Sequence, residues 1–280
     1  MPRFLLRIEY AGTRYRGWQI QNNARTVQGE IAQAAREVLG TPNFELYGSG
    51  RTDAGVHALE QVAHLDTAVK MPPAMLADRL NALLPADINI LSAEPVDRRF
   101  HARHSATSRS YVYQIARRRT AFAKPYVWCV RDPLDLARMR DAATIFTGMH
   151  DFRAFSDDDP EEKSTKVLVE SLTIDEEGDL LLVRIAGSHF IWKMVRRIVG
   201  ILVEAGKGAL TRRQIEQLLE GDSALPAQLT APASGLFLEK VSYAGTELRT
   251  GTGTGTGTDQ TQATRMGMKA SFQSARDTRR

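Results

Sequence analysis

With a single cysteine, Cys129, the 280-residue chain has no internal disulfide and no cysteine-rich zinc site. Cys129 stands in the apolar stretch from Tyr126 to Val130, where a buried, inert thiol is expected. No apolar run approaches the length of a membrane span, and the N-terminus lacks the apolar stretch of a secretory signal. The cytoplasm is therefore the expected compartment. Charge of one sign is also missing once the C-terminus is set aside. The chain has 37 Lys and Arg against 33 Asp and Glu, yet residues 249–280 hold six basic and two acidic ones. Residues 1–248 are left with 31 of each and no net charge. Affinity for a polyanion must then come from local clustering.

Clustering is present. Arg98, Arg99, Arg103, Arg109, Arg117, Arg118, Arg119 and Lys124 fall in a stretch without a single acid. Most charge runs are solvated faces. This one is interleaved with Phe100, Tyr111 and Tyr113, a combination suited to stacking on bases and holding phosphates, so RNA contact is the expectation. Metal is not expected. His101/His104 and His57/His64 each lack a third ligand in a known spacing. The acids Asp157, Asp158, Asp159, Glu161 and Glu162 lack the spaced ligands and central glycine of a calcium loop and read as a solvated loop.

The pattern along the chain is α+β. Phe4, Leu6, Ile8 and Tyr10 alternate with polar residues as in a half-buried strand. Thr26 caps a helix that Gly40 stops. Phe44–Tyr47 and Gln61–Asp66 read as strands, Pro73–Leu84 as a helix with Leu76, Leu80, Leu83 and Leu84 inward, and Ile88–Val96 as a strand. Beyond a strand bearing Tyr111 and Tyr113, Asp132 and Pro133 are expected to open a helix. Lys166–Ile174 and Leu180–Ala186 flank a hairpin loop at 175–179. A helix from Phe190 to Ala205 carries Lys193, Arg196 and Arg197, Thr211 and Gln214 form a capping box, and Leu236–Tyr243 is a final strand. The expected division is an N-terminal half over 1–105, a C-terminal half over 106–246 and a disordered Thr/Gly-rich tail over 247–280. Both halves read as ferredoxin-like units sharing a mostly antiparallel sheet, with helices packed on it.

The eleven residues from Gly48 to Ala58, GSGRTDAGVHA, hold three glycines around one carboxylate, Asp53, with Arg51 two positions earlier. Asp53 breaks a dinucleotide fingerprint, and no Lys-Ser/Thr follows for a phosphate loop. A carboxylate here can be a nucleophile, a general base or a metal ligand, and Arg51 can anchor a phosphate. A plain turn capped by Asp53 fits the same residues.

That string resembles the catalytic loop of the tRNA pseudouridine synthase A family, and further resemblances follow in order. They are Ile8–Ile31, Phe100–Tyr113, His150–Phe155, Gly187–Gly200 and Ala231–Leu238. Departures are His104, where an aromatic is usual, and Trp192-Lys193 within the fourth motif. The resemblance implies that Asp53 is the catalytic residue, that Arg51 helps hold the target nucleotide out of the helix, and that Tyr111 contacts its base. Arg196 would pair with Asp53, which suits an arginine flanked by apolar Met194, Val195, Ile198 and Val199. Arg98, Arg99, Arg103 and Arg109 would hold phosphates. The implied reaction converts uridine to pseudouridine at positions 38–40 of the tRNA anticodon stem-loop. It needs no cofactor and takes place in a cleft between the halves of a homodimeric enzyme. Two other classes fit parts of the pattern. A catalytically inactive RNA-binding protein would share the basic stretch without needing Asp53. A glycosidase would require a second carboxylate that the loop does not supply.

Overall fold

A computed structural model of the chain describes residues 2–158, 164–221 and 223–244. The tail expected over 247–280 and part of the acidic run, 159–163, lie outside these residues.

Strand β1 (Arg3–Tyr10) buries Phe4, Leu6, Ile8 and Tyr10, as its alternation requires. Helix α1 (Val27–Leu39) starts where the Thr26 hydroxyl accepts from Gly29 N and ends at Gly40, which is left-handed at φ 63°. Then come β2 (Phe44–Gly48), β3 (His57–Thr67), α2 (Pro73–Leu83) and β4 (Ile88–Val96). Leu83 was expected inside but is 43% exposed, because only Leu76, Ala77 and Leu80 of α2 face the sheet.

The second half opens with β5 (Ala106–Ala116) and the two-residue β6 (Trp128–Cys129). Cys129 is exposed, against expectation, since β6 only edges β5 and turns the thiol outward. Helix α3 (Leu136–Ile145) is capped by Asp135 and not by Asp132. The Asp135 carboxylate accepts from Ala137 N and Arg138 N while its own N–H is held by Gly206 O. Strand β7 (Gly148–Asp151) is followed by β8 (Lys166–Glu177) and β9 (Leu180–Gly187). The expected five-residue hairpin loop shrinks to a turn at Gly178, φ 61°, and Asp175 to Glu177 stay paired with β9. Ion pairs from Arg184 to Asp175 and from Arg117 to Glu176 offset the acids placed in this strand. Helix α4 (Met194–Gly206) begins later than Phe190 because Lys193 is left-handed at φ 63°. The Thr211 capping box opens α5 (Arg212–Glu220), and α6 (Leu225–Gln228) and β10 (Leu236–Tyr243) complete the described chain.

The ten strands form one sheet in the order β4-β1-β3-β10-β5-β9-β8-β7, with β2 on β3 and β6 on β5. The first half thus runs β4-β1-β3-β2 and the second β10-β5-β9-β8, the same ferredoxin-like order twice, with β7 added at the edge. One edge of β3 serves two partners. Its start, His57 and Ala58, pairs with β10, and its end, Ala63 to Thr67, pairs with β2. The sheet therefore forks along β3, and the loop bearing Asp53 leaves β2 at the fork. Each half has its own core, one around Leu6, Ile31 and Leu80, the other around Phe146, Ile198 and Leu202. Strand β10 feeds both, with Leu238 and Val241 in the first and Leu236 in the second.

Candidate active site

Residues 49–56 connect β2 to β3 and are fixed at several points. Ser49 N donates to Val62 O at 2.7 Å, so the loop departs while still bound to β3. It then lies against residues 12–18. Trp18 N donates to Thr52 O at 3.1 Å, Gly55 N to Tyr15 O at 3.3 Å, and the Tyr10 and Thr52 hydroxyls meet at 2.8 Å. Gly17 permits this approach. Its φ is 95°, and a side-chain carbon there would lie 2.5 Å from Thr52 O. His57, at the start of β3, bridges the same layers. Its Nδ1 accepts from Gly12 N at 3.0 Å, which leaves Nε2 to donate to Pro125 O at 3.1 Å. Burial pushes the His57 imidazole down to about 4, so the ring is neutral at neutral pH.

Asp53 faces Arg196 of α4 across the junction of the halves. Arg196 Nη1 lies 3.3 Å from Asp53 Oδ2 in a pair whose side chains are 17% and 25% exposed. The contact is single-pronged, and among the described residues nothing donates to Asp53 Oδ1. Arg196 is aimed by the segment before β10. Its Nε donates to Ala231 O at 2.7 Å, and Ala231 N returns a bond to Arg196 O at 3.1 Å. Gly200 makes room for this segment, because a side-chain carbon there would lie 1.7 Å from Leu229 O. The Tyr113 hydroxyl donates to Pro232 O at 2.8 Å, so a core tyrosine supports the strap that supports Arg196.

Tyr111 sits on β5 between Leu238 of β10 and Ile185 of β9 and packs against both cores. Its ring meets Phe190 edge to face at 5.2 Å. Burial pushes its phenol up to about 12, with Arg109 and Asp53 acting on it in opposite directions, so the hydroxyl stays protonated at neutral pH. Asp53, Tyr111 and Arg196 thus come together from a loop, a strand and a helix.

The basic residues separate into groups. Arg51, Arg98 and Arg103 are exposed and make no side-chain ion pair among the described residues, while Arg99 reaches Asp97 at 3.8 Å from almost full exposure. Arg109 is different. Its guanidinium donates to the carbonyls of Arg103 at 2.8 Å, Ser188 at 2.9 Å, Ser49 at 3.3 Å and Ala106 at 3.4 Å. It ties the start of the Asp53 loop to the segment holding Phe190. Arg117 and Arg118 pair with Glu176 and Asp179 at the hairpin. Tyr113 is buried in the core and Phe100 packs on Tyr243 at 5.0 Å, so the run is less an interleaved RNA surface than its sequence reads. Lys193 and Arg197 are not a free basic face either. Both bind Asp157, which is thereby no solvated acid, and Trp192 N donates to Asp158 at 3.0 Å.

Sequence reasoning missed His57, Arg109 as a clamp, Phe190 and the Asp157–Arg197 pair. The first is legible as a histidine at the end of the glycine loop. The others depend on contacts between distant segments. No group of three metal-ligating side chains is found among the described residues, nor any helix long and apolar enough to cross a membrane.

The family model described as tRNA pseudouridine synthase matches residues 7–105 and 142–244. Asp53 and Arg196 lie inside the matched segments, and Tyr111 and Arg109 lie between them. The chain is similar to tRNA pseudouridine synthase A of Aquifex aeolicus, at 38% identity over 243 residues, covering 86% of this chain and 99% of that protein. It is 41% identical over 246 residues to tRNA pseudouridine synthase A of Rhodopseudomonas palustris, covering 87% and 100%. Against tRNA pseudouridine synthase A 2 of Bacillus cereus it is 39% identical over 246 residues, again covering 87% and 100%. With both halves matched and these relatives covered almost end to end, the chain belongs to the tRNA pseudouridine synthase family, whose members are isomerases.

Proposed function

We propose that this chain converts uridine to pseudouridine at positions 38–40 of the tRNA anticodon stem-loop, with Asp53 acting on the sugar of a flipped-out nucleotide. The observation that carries the reading is the Asp53–Arg196 contact at 3.3 Å, which holds one carboxylate oxygen and, among the described residues, leaves the other without a donor. The N1–C1′ bond breaks, the uracil turns, and C5 bonds to C1′, with the C5 proton released to water and N1 taking up a proton in its place. Atoms are conserved, so the reaction calls for no cofactor. Asp53 either attacks C1′ or removes the C2′ proton, and both require a carboxylate beside the ribose.

Withdrawing the base from a stem costs a few kcal/mol. Arg51, exposed in the loop two residues before Asp53, holds the vacated place in the helix in this reading. Tyr111 offers a ring and a protonated hydroxyl to the base. Arg98, Arg99 and Arg103 take phosphates, and Arg109 acts as the clamp behind them. The reading includes a cytoplasmic homodimer that shares one tRNA. The test is tritium release from C5-labelled uridine in tRNA, followed by mapping of the modified position. Absence of release, or release confined to positions outside 38–40, would overturn the corresponding part of the reading.

A further inference from the structure

Four rings form a connected cluster beside the Asp53 loop without belonging to it. Tyr47 lies on His64 with centroids 5.2 Å apart and planes 23° apart. His101 meets His64 edge-on at 4.7 Å and is tilted against Tyr47 at 5.9 Å, and His104 is tilted against His101 at 4.3 Å. The cluster is fixed from beneath. His64 is buried and its Nδ1 accepts from Ala102 N at 3.2 Å, while His101 Nδ1 accepts from Arg103 N and His104 N. Its outer members are open to water, with Tyr47 46% exposed and His104 exposed. A ring already held in place loses little further freedom when something stacks on it. Burial lowers both His64 and His101, which keeps these rings uncharged at neutral pH.

Cations flank the ring-bearing turn in sequence. Arg98 and Arg103 are exposed on either side of residues 99–102, and neither guanidinium is ion-paired among the described residues. The cluster also borders the active cleft. Arg109 Nη2 donates to both Arg103 O and Ser49 O, so the His101–His104 turn and the start of the Asp53 loop are bound to one guanidinium.

We propose that the Tyr47–His101–His104 surface is a stacking site for an unpaired nucleobase of the RNA, a neighbour of the reacting uridine, with Arg98 and Arg103 on its flanking phosphates. Drawing one nucleotide from a helix deprives its neighbours of a stacking partner. Aromatic rings bordered by cations suit a single-stranded base, whereas a paired stem presents no free base face. The inference rests on the tRNA reading above.

The experiment measures the affinity of the full chain for a transcribed tRNA and for a blunt RNA duplex, with melting temperature recorded for every variant. Tyr47→Ala and His104→Ala are expected to weaken tRNA binding about tenfold or more and to leave duplex affinity within about twofold. Tyr47→Phe keeps the ring and is expected to bind like wild type. The stacking site is overturned if a folded Tyr47→Ala or His104→Ala variant keeps wild-type tRNA affinity, if Tyr47→Phe is as damaging as Tyr47→Ala, or if duplex affinity falls equally. His104 is exposed, so its variant stays informative should Tyr47→Ala fail to fold. Wild-type protein that binds no tRNA would instead overturn the functional reading itself, a distinct result.

Discussion

Arg196 Nη1 reaches Asp53 Oδ2 at 3.3 Å although 143 residues separate the two in the chain. Each is positioned by its own half, Asp53 by the layer of residues 12–18 and Arg196 by the strap of residues 229–232. The pair therefore reports whether the halves are correctly joined.

Asp53→Asn keeps the shape of the side chain and removes its charge. Isomerisation is expected to fall by three or more powers of ten, a barrier rise of about 4 kcal/mol, with tRNA affinity nearly intact. Tritium release gives the rate and filter binding the affinity. A residual rate within tenfold of wild type would remove Asp53 from the mechanism.

Arg196 makes two directed contacts from one planar group, to Ala231 O and to Asp53. A lysine is a point charge and cannot span both. Arg196→Lys is thus expected to lose at least about tenfold in kcat/KM, and Arg196→Met more, while melting temperature changes little because both keep the apolar stem. Full activity in Arg196→Lys would show that charge alone, and not the fork, is needed.

Asp157→Asn leaves the Arg197 guanidinium, 3% exposed, without its carboxylate. Stranding a buried cation is expected to cost about 3 kcal/mol and to lower the melting temperature by roughly 10 °C. Lys193, and then Arg197, hold the Asp157 carboxyl below its ordinary value of 3.8. Its contribution is therefore present above that pH and is lost as the solution becomes more acid. Melting curves of both proteins from pH 3 to pH 7 are the check, and coincident curves would contradict the pairing.

His57 and His64 titrate at about 4 in the folded chain against an ordinary value of 6.5, with burial the leading cause. The unfolded chain binds these protons first. Stability is accordingly full above pH 6.5 and drains as pH falls from there toward 4. Urea unfolding across that window should show the loss, with a shallower slope in His57→Gln. An unchanged slope in that variant would take His57 out of the account.

Features carried by local chemistry were legible in the sequence. Thr26, Gly40, the Thr211 capping box and the alternation of β1 each fix their element through neighbours a few residues away. The glycine loop announced Asp53, and the apolar flanks of Arg196 announced a partner for it. Features set by distant contacts were not legible. Lys193 adopts a left-handed backbone and delays α4, and Asp157 reaches back across the fold to hold that same turn. Asp135 wins the cap of α3 because Gly206 pins its N–H. Arg109 reads as one more cation in a basic run, and only the carbonyls gathered around it reveal a clamp.

Strand β10 lies mid-sheet, between β3 and β5, yet it is the last strand of the described chain. During synthesis the two half-sheets can form their own hairpins early, but they have no shared partner until Leu236–Tyr243 leaves the ribosome. The strap that aims Arg196 emerges only a few residues earlier, at Ala231. Nascent chains arrested before Leu236 are thus expected to hold two separately collapsed halves, and competence for catalysis arrives in one late step. A polypeptide that stops short of Leu236–Tyr243 is expected to be well structured in most of its parts and inert, which makes turnover a sensitive measure of whether this last described strand has been made.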